Sequence, residues 1–137
     1  MTNLLIDTNI IIDYLADNEF AEQSERIIVA CSGDEIAGYT TASAVTDVYY
    51  ILRKKFNHEE LILNLKALFD IIDIIDVEKA DIFLAMDIDI RDLEDALVSR
   101  CADKIRADYT ITRNTKDFKN STIKAISPNE FIEKINE

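Results

Sequence analysis

Short apolar segments alternate with helix-patterned ones along almost the whole chain, and this alternation restricts the fold more than any other feature. Residues 3–6 (NLLI) read as a buried strand, and Ile11, Ile12 and Leu15 then recur at helical spacing within 8–16. A second helix is expected over 20–32, stopped by Ser32-Gly33-Asp34. The segment EIAGYTT reads as a strand, and Thr41 or Ser43 can cap the helix SAVTDVYYILRKKF that follows. Asn57 can cap HEELILNLKALF, with Glu60 at the capping-box position. IIDIIDV is expected as a third strand, EKADIFLAMDI and DLEDALVSRCADKIRA as helices, YTITR as a fourth strand and IKAIS as a fifth. Ser127-Pro128 opens a closing helix, with proline at the first position, where its missing N–H costs nothing.

Strands this short and apolar on both faces, separated by helices, predict a mostly parallel sheet with helices on both sides: an α/β fold in three layers. A chain of 137 residues suits one domain, 1–137, and two glycines and one proline leave no material for a flexible linker. In such folds ligands sit beyond the carboxyl ends of the strands. Asp7, Thr40-Thr41 and Arg113-Asn114 all fall at such ends.

The charge balance restricts the partners. A formal net charge of −12 opposes nonspecific attraction to nucleic acid or an anionic membrane. The distribution is uneven: residues 1–98 hold 7 basic and 21 acidic side chains, residues 99–137 hold 8 and 6. Basic residues bunch at Arg53-Lys54-Lys55 and in the series Arg113, Lys116, Lys119, Lys124, as solvated surface or as a local track for an anion. No apolar run is long enough to cross a bilayer, and no signal-peptide pattern precedes Asp7, so a cytoplasmic protein without a membrane partner is expected. Cys31 and Cys101 are far apart and outside any metal-knuckle spacing, as expected of buried reduced thiols.

The acids carry the chemistry. Asp7 ends an apolar strand, an unusual place for a carboxylate without a task. Asp47 lies three residues after Ala44 and four before Ile51, at the border of its helix's apolar stripe. Aspartate disfavours a helix interior, so a partner is expected there. Asp92 and Asp95, three apart, can share a helix face; Asp92 alone suits an N-cap and Asp95 a first-turn acid. In YTITRNTKDF the strand ends at Thr112, and Asn114 and Asp117 follow, either as turn residues or as site residues.

Acids from separate strands and helices can converge above such a sheet. Two carboxylates about 4 Å apart repel by roughly 4 kcal/mol at an effective dielectric of 20, so a cluster needs protons or cations. Ligands that are all oxygen suit Mg²⁺ or Mn²⁺, as one ion or two. Other chemistries lack parts. His58 is the one histidine, which leaves little for a Ser-His-Asp or Cys-His site, and neither GxGxxG nor GxxxxGK[ST] occurs. A dehalogenase-type phosphatase needs a second aspartate two residues after the first, where this chain has Asn9.

LLIDTNIIIDYL, an acid some forty residues on, DLEDAL near residue 95, ADYTITRNTKDF and the closing SPNEFIEKI together resemble the PIN domain family over nearly the whole chain. The resemblance implies a compact α/β/α nuclease with a central parallel sheet and clustered acids binding Mg²⁺ or Mn²⁺. It further implies an endoribonuclease acting as the toxin of a VapBC-type toxin–antitoxin pair, with RNA as substrate and a small antitoxin as partner. Carried over by position, Asp7 matches the first acid and Asp95 the third. Asp47 stands where the second, more often Glu, is expected. Asn114 falls where many members carry a fourth acid, a duty that Asp117 can take over. Asp92, Asn9 and Thr112 stand as supporting residues, and Arg113, Lys116 and Lys119 as contacts to RNA.

The departures at Asp47 and Asn114 keep a second reading open: a PIN-like domain without catalysis, serving as a binding or regulatory module. The run Tyr49-Tyr50-Ile51-Leu52 and the helix at 58–69 are apolar enough to pack in a homodimer or hold an antitoxin helix, or to be ordinary core.

Overall fold

A computed structural model describes residues 1–136. The strands β1 (Thr2–Ile6), β2 (Ile36–Thr41), β3 (Asp73–Ile75), β4 (Tyr109–Ile111) and β5 (Ala125–Ile126) form one sheet. Its order is β3-β2-β1-β4-β5 and every neighbouring pair is parallel. Among the described residues six helices connect them, α1 (Thr8–Ala16), α2 (Ala21–Cys31), α3 (Ala42–Leu52), α4 (His58–Phe69), α5 (Lys79–Met86) and α6 (Leu93–Lys104), and α7 (Pro128–Ile135) follows β5. A short 3-10 turn, Thr115–Phe118, follows β4 in what the sequence suggested was a loop.

β1 lies at the centre because it is apolar on both faces. Leu4, Leu5 and Ile6 are all fully buried. Leu4 and Ile6 join one core with residues of α1, α2, α3, α4 and α7. Leu5 points the other way, into a second core with Ala85 of α5, Ala96, Leu97, Val98 and Cys101 of α6, and Phe118. These two cores on a single sheet are the expected three layers. Gly38 of β2 sits where the layers leave no room for a side chain: a Cβ there would stand 2.7 Å from Cys31 Sγ and 2.9 Å from Ile72 Cγ2.

The outer strands are shorter than the apolar runs that announced them. β3 pairs over only three residues, with Asp73 and Ile74 exposed at the sheet edge, where a charge discourages further pairing. Helix starts follow the expected capping chemistry. Thr41 Oγ1 accepts from Ala44 N at 3.1 Å, Asn57 Oδ1 from Glu60 N at 2.9 Å, and Ser127 Oγ from Glu130 N at 3.1 Å. Glu130 returns the bond to Ser127 N and completes a capping box.

Both cysteines are buried and free, one in each core. Burial pushes the Cys31 thiol up to about 12 and Cys101 up to about 11, which makes both unreactive. Among the described residues no helix is long and apolar enough to cross a membrane.

Candidate active site

Asp7 is the first residue beyond β1 and the N-cap of α1, so one carboxylate serves both strand end and helix start. It is 4% exposed. Its Oδ1 accepts from Thr8 N at 2.8 Å, and its Oδ2 accepts from Thr112 Oγ1 at 2.8 Å and from Asn9 Nδ2 at 3.3 Å. Thr112, just past β4, is the hub of this network. Its Oγ1 also accepts from Asn9 Nδ2 at 3.2 Å and from Asn114 N at 3.1 Å. A carboxylate offers about four lone-pair positions, and these three donors leave capacity for a further ligand.

The first turn of α6 brings the second group of acids. Asp92 is its N-cap, as expected, accepting from Asp95 N at 3.0 Å. Burial raises the pKa of Asp95 to about 7, assisted by the charges of Asp7, Asp92, Asp117 and Glu94. Burial likewise raises Asp7, against hydrogen bonds from Thr112 and Thr8, while Asp117 and Asp92 push it further up. Asp7, Asp92, Asp95 and Asp117 therefore converge on one region, although 110 positions of sequence separate the first from the last. Asp92, Asp95 and Asp117 line a cleft of about 480 Å³ together with Asp89, Arg91, Lys116, Lys119 and Asn120.

Asp47 is half-buried on α3 and enters the group through Glu94, on which it is the strongest neighbouring charge. Glu94 escapes sequence reasoning because it sits between two better-spaced aspartates. Its signal was available in the first turn of DLEDAL, where three of four residues are acidic. Asn114 offers its backbone N–H to Thr112, and no side-chain hydrogen bond from it is formed among the described residues. Lys116 and Lys119 line the acid cleft, but Arg113, expected at RNA, is used elsewhere. Its Nε donates to Asp13 Oδ2 at 2.6 Å, and its guanidinium lies 4.2 Å from the Phe20 ring centre. A buried carboxylate within reach captured that charge.

Three carboxylates are buried among the described residues: Asp7, Asp13 (0% exposed) and Asp81 (2%). Asp13 has Arg113, and Asp81 has Arg100 at 3.1 Å and Lys104 at 2.8 Å. Among the described residues, no Lys or Arg side chain forms an ion pair with Asp7, Asp47, Asp92, Glu94, Asp95 or Asp117. The protein neutralises its buried acids everywhere except here.

The donor set is hard oxygen throughout, which suits Mg²⁺ or Mn²⁺. Among the described residues no group of three or more His, Cys, Asp or Glu side chains stands as a ready-made cage. An open arrangement agrees with Mg²⁺, which keeps several waters and is held by one or two carboxylates plus phosphate oxygens.

A family model described as PIN domain matches residues 3–116. Ribonuclease VapC1 of Aquifex aeolicus (strain VF5) is 29% identical over 142 residues, covering 97% of this chain and 95% of its own. VapBC2 from Rickettsia felis, solved bound to a DNA fragment from its promoter, superposes with a TM-score of 0.73 at 16% identity, over 92% of this chain and 98% of that one. A toxin–antitoxin complex from Klebsiella pneumoniae gives a TM-score of 0.70 at 23% identity, over 91% and 97%. At these identities the solved structures establish the fold.

Proposed function

Because the chain belongs to the PIN domain family, we propose that it is a divalent-metal-dependent endoribonuclease, the toxin of a type II toxin–antitoxin pair. The observation that carries this is the buried carboxylate Asp7, surrounded by further acids and given no basic partner. A relative named as a ribonuclease and a neighbour solved as a toxin–antitoxin complex support the substrate class and the partner.

Asp7, Asp47, Asp95 and Asp117 are the residues that would hold Mg²⁺ or Mn²⁺, as one ion or two. When bound there, such an ion would supply Lewis-acid polarisation of a phosphodiester and a water of lowered pKa. The chain's own groups do the rest. Thr8 N, Thr112 and Asn9 fix the plane of the Asp7 carboxylate. Asp92 holds the N–H of Asp95 and so fixes the turn that presents it. Asn114, exposed two residues after Thr112, offers a neutral carbonyl oxygen to orient water or phosphate. Lys116 and Lys119 place positive charge on the cleft wall against the RNA backbone, which a chain of net charge −12 needs locally.

Tyr50 and Ile51 of α3 and Leu63 of α4 stay exposed and offer apolar surface to an antitoxin or to a second copy of the chain. Tyr49 and Leu52 of the same run pack into the core.

The test is cleavage of a mixed RNA pool with Mg²⁺ or Mn²⁺, with Asp7→Ala and EDTA alongside. Cleavage that needs the metal and is lost in the variant supports the proposal. A second reading, a binding module without catalysis, draws on the open acid arrangement and on Asn114 standing where an acid was expected. Wild-type protein that neither cleaves RNA nor binds Mn²⁺ favours that module.

A further inference from the structure

Glu94 and Asp95 are consecutive in the first turn of α6, so their side chains diverge by about 100° around the helix axis. Both nevertheless lie near Asp7, whose charge acts on each of them. Asp95 feels Asp117 on the side of the 3-10 turn, whereas Glu94 feels Asp47 on the side of α3. Thr8, the residue after Asp7 and itself buried, fixes the Glu94 side: its Oγ1 donates to Glu94 Oε1 at 3.2 Å. One oxygen of Glu94 is thereby tied down beside Asp7, and its second oxygen makes no side-chain bond among the described residues.

Three features make this more than a surface contact. Asp47 is the strongest neighbouring charge on the exposed Glu94, and no Lys or Arg is ion-paired to either among the described residues. Asp47 is one methylene shorter than a glutamate, so a point near Asp7 is harder for it to reach. Glu94 has the longer side chain and already touches the residue next to Asp7.

We infer that Glu94 is a further carboxylate ligand of the cation site, on the Asp47 side, with Thr8 as the positioning residue that aims it. The inference rests on the metal-site reading above and deepens it. The carboxylates open to a cation then run from Asp47 and Glu94, through Asp7, to Asp95 and Asp117, although among the described residues no three of them stand as a ready-made cage.

The experiment is Mn²⁺ titration of the intact chain by calorimetry, with urea midpoints checking that each variant is folded. Glu94→Gln keeps size and polarity at a side chain outside both cores and is expected to weaken Mn²⁺ binding by about tenfold or more. Thr8→Val keeps the carboxylate but frees it, and is expected to lose a smaller, several-fold factor. Adding Asp47→Glu to Glu94→Gln is expected to recover most of the lost affinity, because the longer side chain restores the reach on that side.

Glu94→Gln binding Mn²⁺ as wild type does, while Asp7→Asn abolishes binding, would overturn the inference and leave the metal site standing. Weakened binding that Asp47→Glu does not recover overturns the placement of Glu94 on the Asp47 side. Wild-type protein that binds no Mn²⁺ overturns the inference and the metal-site reading together.

Discussion

Arg113 Nε meets Asp13 Oδ2 at 2.6 Å, joining the residue after Thr112 to the middle of α1, and Asn18 Nδ2 adds a second donor to Asp13 at 2.8 Å. Thr112 and Asp7 stand at the other end of the same junction, so the ion pair and the Asp7–Thr112 hydrogen bond together clamp the 112–118 segment to α1. Arg113 is a fastening of the site's frame.

The two partners of that pair are unequal, and replacing them has unequal costs. The Arg113 side chain is 32% exposed and that of Asp13 1%. Arg113→Ala leaves a buried, uncompensated carboxylate and is expected to cost about 3 kcal/mol in urea unfolding. Asp13→Asn leaves an arginine that can turn to water, and is expected to cost about 1–2 kcal/mol. Equal costs in the two variants would show that the pair is not held as described.

Asp81 should behave as the second neutralised acid. Burial pushes it up, but hydrogen bonds from Lys104, the Glu78 amide and Arg100 outweigh this and leave it below the ordinary 3.8. Its stabilising contribution is present at neutral pH and is lost as pH falls below about 4 through the depressed folded value. Asp81→Ala is expected to destabilise by about 3 kcal/mol at pH 7, by separating α5 from α6, and by progressively less in acid.

Asp95 should show the opposite dependence. Its folded pKa of about 7 lies above the ordinary 3.8, so the protonated carboxyl favours the fold below about pH 4 and that contribution is lost as pH rises through 7. In EDTA, Asp95→Asn is expected to gain stability relative to wild type between pH 4 and 7 and to hold that gain above. Mn²⁺ should reverse the order, stabilising wild type and not the variant. A flat difference across this range would remove Asp95 from the acid group.

Lys116 and Lys119 line the cleft, whereas Arg113 is engaged with Asp13. Replacing both lysines with alanine is expected to lower the salt slope of RNA binding by about 0.7 per lysine. Arg113→Ala, compared at a pH and temperature where it is folded, is expected to leave that slope unchanged. The reverse result would return the RNA contact to Arg113.

Much of this was legible before any coordinates. Helix and strand reveal themselves through local periodicity, and the caps at Thr41, Asn57, Asp92 and Ser127 through side chains acting within three residues. Those signals are short-range, so the alternation of elements, the parallel sheet and the placing of Asp7 at a strand end and of Asp92 and Asp95 at a helix start followed from the sequence, whereas the N-cap role of Asp7 on α1 did not. The outer strands were overextended because an apolar run does not say how much of it finds a partner. Asp13 escaped notice although it recurs three residues after Ile10 on the buried face of α1, the same signal that singled out Asp47.

The sequence by itself determined which residue types were available: many acids, one histidine, and no nucleotide-binding loop. Only the tertiary structure decided which of those acids are neutralised. Asp13 is 100 positions from Arg113, Asp81 is 23 from Lys104, and Asp7 is 105 from Thr112. Pairing over such separations depends on how the sheet orders its strands, and no local pattern encodes it. Once the sheet is assembled, Asp13 and Asp81 find cations, whereas among the described residues Asp7 finds the Thr8 amide, Thr112, Asn9 and other acids, and no Lys or Arg.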